Sequence, residues 1–128
     1  MAVALREKVL RKPLGLTWEP GAFTGEDQSF HAGYFEGKRL VGTLILRPLN
    51  DITLRMRQVA VAFDRQGQGT GTALILFAEN FARVNGFREI TAHARLAAIP
   101  FYEKMDYTAE GETFPELSIP HRRIFKRW

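Results

Sequence analysis

Three glycines alternate with polar residues in residues 66–71, which follow an apolar segment and precede a helical pattern that starts at Thr72. Gly67, Gly69 and Gly71 permit backbone conformations that a Cβ excludes, and they let a bulky anion approach the main chain. The first turn of the helix adds N–H groups without intrahelical partners at the positive end of the helix dipole. The pattern therefore predicts a binding site for a diphosphate.

Two familiar phosphate loops do not fit this segment. A Walker loop needs Gly-Lys followed by Ser or Thr, whereas Gly71 is followed by Thr72 with no lysine. The dinucleotide fingerprint needs Gly or Ala at position 72 and opens the first βαβ unit, whereas at least three predicted elements precede this loop. The residues alone leave two alternatives, another diphosphate ligand or a glycine-rich turn that binds none.

Residues 59–74 resemble motif A of the GNAT superfamily of acyl-CoA-dependent N-acyltransferases. The signature of that motif is Gln or Arg, two residues, Gly, one residue, and Gly or Ala. It falls on Gln66, Gly69 and Gly71. The resemblance therefore favours the diphosphate of coenzyme A as the ligand of the loop.

Two further segments are similar to the same superfamily. Residues 101–107, Phe-Tyr-Glu-Lys-Met-Asp-Tyr, look like its aromatic-Tyr-x-Lys-x-Gly-aromatic helix end, and residues 111–121 are similar to the tail of small bacterial ElaA-like members. The resemblance covers residues 29–126. It implies one α/β (α+β) domain over residues 1–128, with a mixed central sheet that is flanked by helices and splayed at its central strands.

The resemblance also implies the donor and its contacts. Acetyl-CoA would be the acyl donor, and no metal is expected. The strand before the loop would carry a bulge and splay from the next strand, so that the backbone of Val59 and Val61 pairs with the pantetheine arm and Ala60 lies in the same site. Main-chain N–H groups would hold the pyrophosphate at Gln66, Gly67, Gln68, Gly69, Thr70, Gly71 and Thr72.

Acyl transfer from a thioester to an amine needs two proton transfers. The amine must arrive neutral although an alkyl ammonium titrates near ~10.4, and the leaving thiolate needs a proton, which a phenol of pKa ~10 can donate. By the resemblance, Tyr102 occupies the position of that acid. The alternative is a core tyrosine whose hydroxyl is satisfied elsewhere.

The base is less evident from the sequence. Glu116 and His121 are predicted as catalytic residues near the terminal strands, with His93 and Glu112 as further candidates. Many family members use a chain of waters instead, and this alternative stays open. The three histidines have no spacing typical of metal ligands, and no metal site is predicted.

The sequence departs from the family pattern in three places. Arg95 stands where many relatives have Asn, and Asp106 stands where the family has Gly, although Asp tolerates a left-handed cap. The chain also starts directly at its first predicted helix. The first edge strand of the relatives is therefore expected to be missing, from the natural chain or only from this sequence.

Hydrophobic periodicity and turn residues predict the elements that must position these groups. The spacing of apolar residues indicates helices, and runs of β-rich residues bounded by Gly, Pro or Asn indicate strands. The helices are predicted at residues 3–11, 72–84 and 97–105, a loop at 18–28, and the strands at 29–36, 39–46, 54–61, 89–95, 108–113 and 122–127.

Composition limits the class of protein. The absence of cysteine among 128 residues excludes a disulfide scaffold, a thiolate metal site and a cysteine nucleophile. No apolar run has the length of a membrane span, and the charged N-terminus does not fit a secretory signal. We therefore expect a cytoplasmic protein without a membrane partner.

Two functions remain open at this stage. The favoured one is an acetyltransferase that acts on a small-molecule amine or a protein amino group, and the alternative is a catalytically silent, regulatory module that binds acyl-CoA. The basic, aromatic run 121–128 raises nucleic-acid binding, but a terminal strand with Ile124 inward explains it better, so no nucleic-acid partner is expected. The oligomeric state stays open, with a homodimer as one alternative.

Overall fold

A computed structural model describes residues 16–18 and 29–128 of the chain. Within these residues, seven strands form one sheet in the order β1-β2-β3-β4-β5-β7-β6. Strands β4 and β5 are parallel and all other neighbours are antiparallel. The strands are β1 (Leu16–Trp18), β2 (Phe30–Glu36), β3 (Arg39–Pro48), β4 (Thr53–Val61), β5 (Glu89–Arg95), β6 (Thr108–Glu116) and β7 (Ile119–Arg127).

The predicted elements before β2 are only partly described. The helix predicted at residues 3–11 lies outside the described residues, as does most of the loop predicted at 18–28. Strand β1 was not predicted: it is a three-residue edge strand antiparallel to β2. It follows the predicted helix segment along the chain, whereas the edge strand that was expected to be missing precedes that segment in the relatives.

Helix α1 (Thr70–Val84) begins two residues earlier than predicted, directly after the left-handed Gly69. Helix α2 (Ile99–Glu103) is shorter than predicted, because a 3₁₀ turn (Leu96–Ala98) precedes it and the left-handed Asp106 follows its end. Among the described residues, no helix has the length and apolar content needed to cross a membrane.

Strands β6 and β7 both extend further than predicted and meet at a two-residue turn. Leu117 and Ser118 have φ angles of 53° and 64°, as in the hairpin turns that place both central residues in the left-handed region. The sequence lacks the Asn or Gly that usually marks such a turn. The short strands predicted at 108–113 and 122–127 were wrong in length for this reason.

The core lies between α1 and one face of the sheet. The residues that α1 was predicted to bury, Leu74, Phe77, Ala78 and Phe81, are all buried. Gly42 of β3 lets the first turns of the helix come close to the sheet. A Cβ at this glycine would lie 2.7 Å from Leu74 Cδ1.

A buried polar cluster joins α1 to β7. Glu79 is 1% exposed and accepts hydrogen bonds from Tyr107 Oη at 2.9 Å and from Lys126 Nζ at 3.1 Å. Lys126 Nζ also donates to the carbonyl oxygen of Met105, just after α2. A buried carboxylate is tolerated only when it is paired in this way, so the cluster ties both helices to the last strand.

Strand β4 carries the predicted bulge and diverges from β5. Opposite β3, Thr43 pairs with Ala60 and Ile45 with Arg57, so β4 has one extra residue beside Leu44. Gln58, within that bulge, has a φ of 53°. Pairing with β5 ends at Met56 opposite Ala92, and the two strands separate beyond that point. The mixed sheet, flanking helices and splayed central strands confirm the predicted fold class.

Candidate active site

A cavity of about 800 Å³ opens where β4 and β5 separate. All three predicted catalytic residues line it, although they come from α2, the end of β6 and the start of β7. They are Tyr102, Glu116 and His121. The lining also includes the predicted donor-binding residues Val59, Ala60, Val61 and Gln66, whereas residues 67–72 continue beyond it to the start of α1 and Glu112 does not line it.

The glycine loop presents its N–H groups at the start of α1. Gly67 and Gly69 have φ angles of 78° and 84°, a region that favours glycine. The first hydrogen bond of the helix runs from Ala73 N to Gly69 O at 2.9 Å. The N–H groups of residues 67–72 make no hydrogen bond with the described part of the chain. Their hydrogen-bonding capacity is therefore left for a ligand or solvent, and anion binding stays a prediction.

Two ion pairs hold the segment before this loop against the β2–β3 hairpin. Arg39 donates two hydrogen bonds to the Asp64 carboxylate, at 2.8 and 2.6 Å, and Arg65 Nε contacts both carboxylate oxygens of Glu36, at 2.8 and 2.9 Å. The hydrogen bond from Arg39 holds the pKa of Asp64 below its ordinary value. The position of the glycine loop thus depends on the turn between β2 and β3.

Beyond the bulge, one edge of β4 faces the cavity. Ala62 N donates to Val41 O at 2.7 Å, so the backbone groups of Ala62, and of Ala60 two residues before, point toward β3. Because backbone groups alternate along a strand, the backbone N–H and C=O groups of Val59 and Val61 point toward the cavity. Gln66 Nε2 donates to Val61 O at 3.2 Å, which links the glycine loop to this edge.

Among the residues that the structure describes, Tyr102 is the only tyrosine that lines the cavity. Its side chain is almost fully buried, with ring centroids 5.1 Å from Phe101 and 5.7 Å from Tyr107. Its hydroxyl makes no hydrogen bond with any residue that the structure describes. Burial raises the pKa of this phenol, so it stays protonated at neutral pH.

Glu116 lies between two histidines that are distant from it in the sequence. Its Oε1 is 2.9 Å from His93 Nδ1, and its Oε2 is 3.7 Å from His121 Nε2. The hydrogen bond from His93 is the main reason that the pKa of Glu116 lies below its ordinary value, and the charges of His93, His121 and Arg55 act in the same direction. This cluster was not predicted, because no local sequence pattern places the three residues together.

Hydrogen bonds define the free nitrogen of His121. Its Nδ1 is 2.7 Å from the carbonyl oxygen of Ile119, a contact that requires a proton on Nδ1. The neutral ring therefore has its lone pair on Nε2, the nitrogen near Glu116. Nε2 is thus the ring nitrogen that can accept a hydrogen bond or a proton, and it lies 3.7 Å from Glu116 Oε2.

Three arginines also line the cavity, at positions 55, 57 and 95. Arg55 Nη2 is 3.1 Å from His93 Nδ1. Because the carboxylate of Glu116 accepts the proton of this Nδ1, the nitrogen cannot accept another hydrogen bond from Arg55. Among the described residues, no group of three or more His, Asp or Glu side chains is arranged to hold a metal ion.

Comparison with known proteins gives one family. A family model described as the acetyltransferase (GNAT) family matches residues 5–107. Human N-acetyltransferase 8B is 29% identical to this chain over 85 residues, which are 60% of the chain and 37% of the relative. The chain thus spans little more than a third of the length of this curated relative.

Solved structures share the fold over most of the chain. A Lactobacillus plantarum protein assigned as an N-acetyltransferase is 27% identical, with a TM-score of 0.74 that covers 97% of this chain and 86% of that one. Escherichia coli ElaA has a TM-score of 0.73 at 15% identity, covering 85% and 74%. Aminoglycoside 6′-N-acetyltransferase, solved with coenzyme A, has a TM-score of 0.70 at 16% identity, covering 77% and 72%.

The His93–Glu116 contact predicts how the carboxyl titrates. We expect His93→Phe to raise the pKa of Glu116 toward the ordinary glutamate value of ~4.3, because the replacement removes the donor to the carboxylate. In the native protein, the lowered pKa stabilises the fold above that ordinary value, and this stabilisation is lost as the pH falls through the lowered pKa. Carboxyl titration by NMR measures the shift.

His31→Phe, on β2 and outside the cavity, is the control and should leave the Glu116 titration unchanged. An unchanged pKa of Glu116 in His93→Phe would contradict the assigned hydrogen bond.

Proposed function

This chain belongs to the GNAT acetyltransferase family, and we propose that it transfers the acetyl group of acetyl-CoA to a primary amine. The observation that carries the proposal is a cavity that combines three features. The glycine loop with its N–H groups lies at one end, the edge of β4 at Val59 and Val61 runs along one side, and Tyr102 lines it. The amine would belong to a small molecule or a protein. We further propose a place in the ElaA-like branch, supported by the tail at residues 111–121, and a cytoplasmic location.

The described residues fit the donor in two places. Within the predicted loop Gln66–Thr72, the N–H groups of residues 67–72 would bind the pyrophosphate, since they have no hydrogen-bond partner in the described part of the chain, whereas Gln66 N donates to Phe63 O at 3.4 Å. Val59 and Val61 would pair with the pantetheine arm as a neighbouring strand does, because their backbone groups point into the cavity. The structural relative solved with coenzyme A supports this use of the fold.

The transfer step then follows from the groups in the cavity. The amine nitrogen attacks the thioester carbonyl carbon, the C–N bond forms, and the C–S bond breaks. His121 Nε2 accepts the proton of the amine, with Glu116 at 3.7 Å to stabilise the imidazolium. Tyr102 donates its proton to the leaving sulfur. Because burial raises the pKa of this phenol, Tyr102 keeps the proton until that step.

Gly69→Val tests the binding of the donor. A branched side chain at this position would occupy the space that phosphate oxygens need, so we expect coenzyme binding to fall below detection by calorimetry. Gly86→Val is a matched control, because Gly86 lies at the other end of α1 with a φ of 86°, against 84° for Gly69, and both have open space around them. The two variants carry similar backbone strain. Wild-type affinity in Gly69→Val would place the diphosphate elsewhere.

Tyr102→Phe tests the acid. We expect turnover to fall by about a hundredfold, a typical size for the loss of a general acid, while acetyl-CoA affinity stays nearly unchanged. The release of coenzyme A with a panel of amines measures turnover, and calorimetry measures affinity. Equal turnover in the variant would remove the assigned role. Binding of acetyl-CoA by the wild type without turnover on any amine would instead favour the regulatory module.

His121→Asn tests the base. Asparagine keeps a donor for Ile119 O but has no basic nitrogen, so we expect kcat/KM to fall by about a hundredfold while acetyl-CoA affinity, measured by calorimetry, stays close to that of the wild type. His31→Asn, outside the cavity, should leave kcat/KM unchanged. A wild-type kcat/KM in His121→Asn would assign the proton transfer to another group or to water.

A further inference from the structure

The half of the cavity remote from the glycine loop is lined by two arginines. Arg55 and Arg57 precede the bulge at Gln58, whereas the loop follows the end of β4. From Arg57 to Val61 the strand rises roughly 13 Å, which is more than the length of an arginine side chain. These two arginines therefore belong to the acceptor half of the cavity rather than to the diphosphate site.

The charges of this pair are only partly compensated by the residues that the structure describes. Arg55 has a buried Nε without a hydrogen-bond partner there, and its contact with His93 is to a ring rather than to a carboxylate. Arg57 makes no hydrogen bond or ion pair with the described part of the chain. Among the described residues, Glu116 supplies the one carboxylate of the lining, and it is already hydrogen bonded to His93.

We propose that the acceptor is an amine that also carries a carboxylate, which Arg55 and Arg57 bind. Arg55 and Arg57 outnumber Glu116, the carboxylate that lines the described part of the cavity, so this half of the cavity suits an anionic group. Guanidinium groups bind carboxylates through paired hydrogen bonds. The inference rests on the proposed function, since the ligand it describes is the acceptor of the transfer.

The same arginines would help to position the nucleophile, because a carboxylate that they hold fixes the amino group of the same molecule relative to His121. The carboxylate of the acceptor compensates the arginines while its amino group approaches His121. An amine without an anionic group would have no partner for the two guanidinium groups, and its ammonium form would be repelled by them.

Matched pairs of ligands test the proposal. Each primary-amine amino acid is compared with its own amide, and peptide amides with an Asp at the first or second position are compared with the Asn peptides. Calorimetry on protein saturated with coenzyme A measures binding. We expect at least one acid to bind about tenfold more tightly than its amide, the size expected from a hydrogen bond to a charged group. The two series separate a free amino acid from a peptide as the source of the carboxylate.

Arg57→Gln should remove this preference and Arg57→Lys should retain part of it, because lysine keeps the charge but not the paired donors. Arg47→Gln is the matched control: Arg47 faces Arg55 across the β3–β4 pair but does not line the cavity, so its variant should keep the preference. The proposal is overturned if no acid is preferred over its amide, or if the preference survives Arg57→Gln.

Coenzyme A release on the same panel keeps the two proposals separable. Transfer to no ligand, with acetyl-CoA bound, would contradict the proposed activity, and calorimetry would still decide whether the arginines select a carboxylate. Equal transfer to acids and amides, in both the wild type and Arg57→Gln, would contradict the inference and leave the acetyltransferase activity in place.

Discussion

The site depends on one structural constraint, which is the separation of strands β4 and β5. The two parallel strands pair only from Thr53 opposite Glu89 to Met56 opposite Ala92, and the remainder of each strand borders a cavity. A strand edge left without a partner inside a domain has unsatisfied N–H and C=O groups, which is costly unless another chain or a ligand pairs with them. At Val59 and Val61, Gln66 Nε2 satisfies Val61 O, and the other backbone groups that face the cavity carry this cost unless a ligand pairs with them.

Contacts on both sides of the cavity hold the elements that form it in place. On one side, the bulge at Gln58 turns the end of β4, and the Arg39–Asp64 and Arg65–Glu36 ion pairs hold the following loop. On the other side, the buried Glu79 carboxylate joins α1 to Lys126 of β7. Exposed ion pairs contribute little to stability, so we assign the first group a role in positioning and the second a role in packing.

The features that depend on neighbouring residues could be predicted from the sequence. The amphipathic face of α1, the left-handed cap at Asp106 and the bulged, splayed central strand follow from periodicity, residue type and family resemblance, and the structure has all three. The lengths of α2 and of β6 and β7 could not be predicted. The turn at Leu117 and Ser118 lacks glycine and asparagine, and it forms because strand pairing on both sides compensates for two left-handed residues.

The amino-acid sequence by itself determined the glycine-rich loop before an amphipathic helix, and its resemblance to the family predicted an anion site there and an acid at Tyr102, because these signals reside in neighbouring residues. Only the tertiary structure decided that His93, Glu116 and His121 form one cluster beside Arg55. His93 and Glu116 are 23 residues apart, and β7 lies between their strands. Their meeting depends on strand order and register, which arise from the packing of the whole sheet and leave no local pattern in the chain.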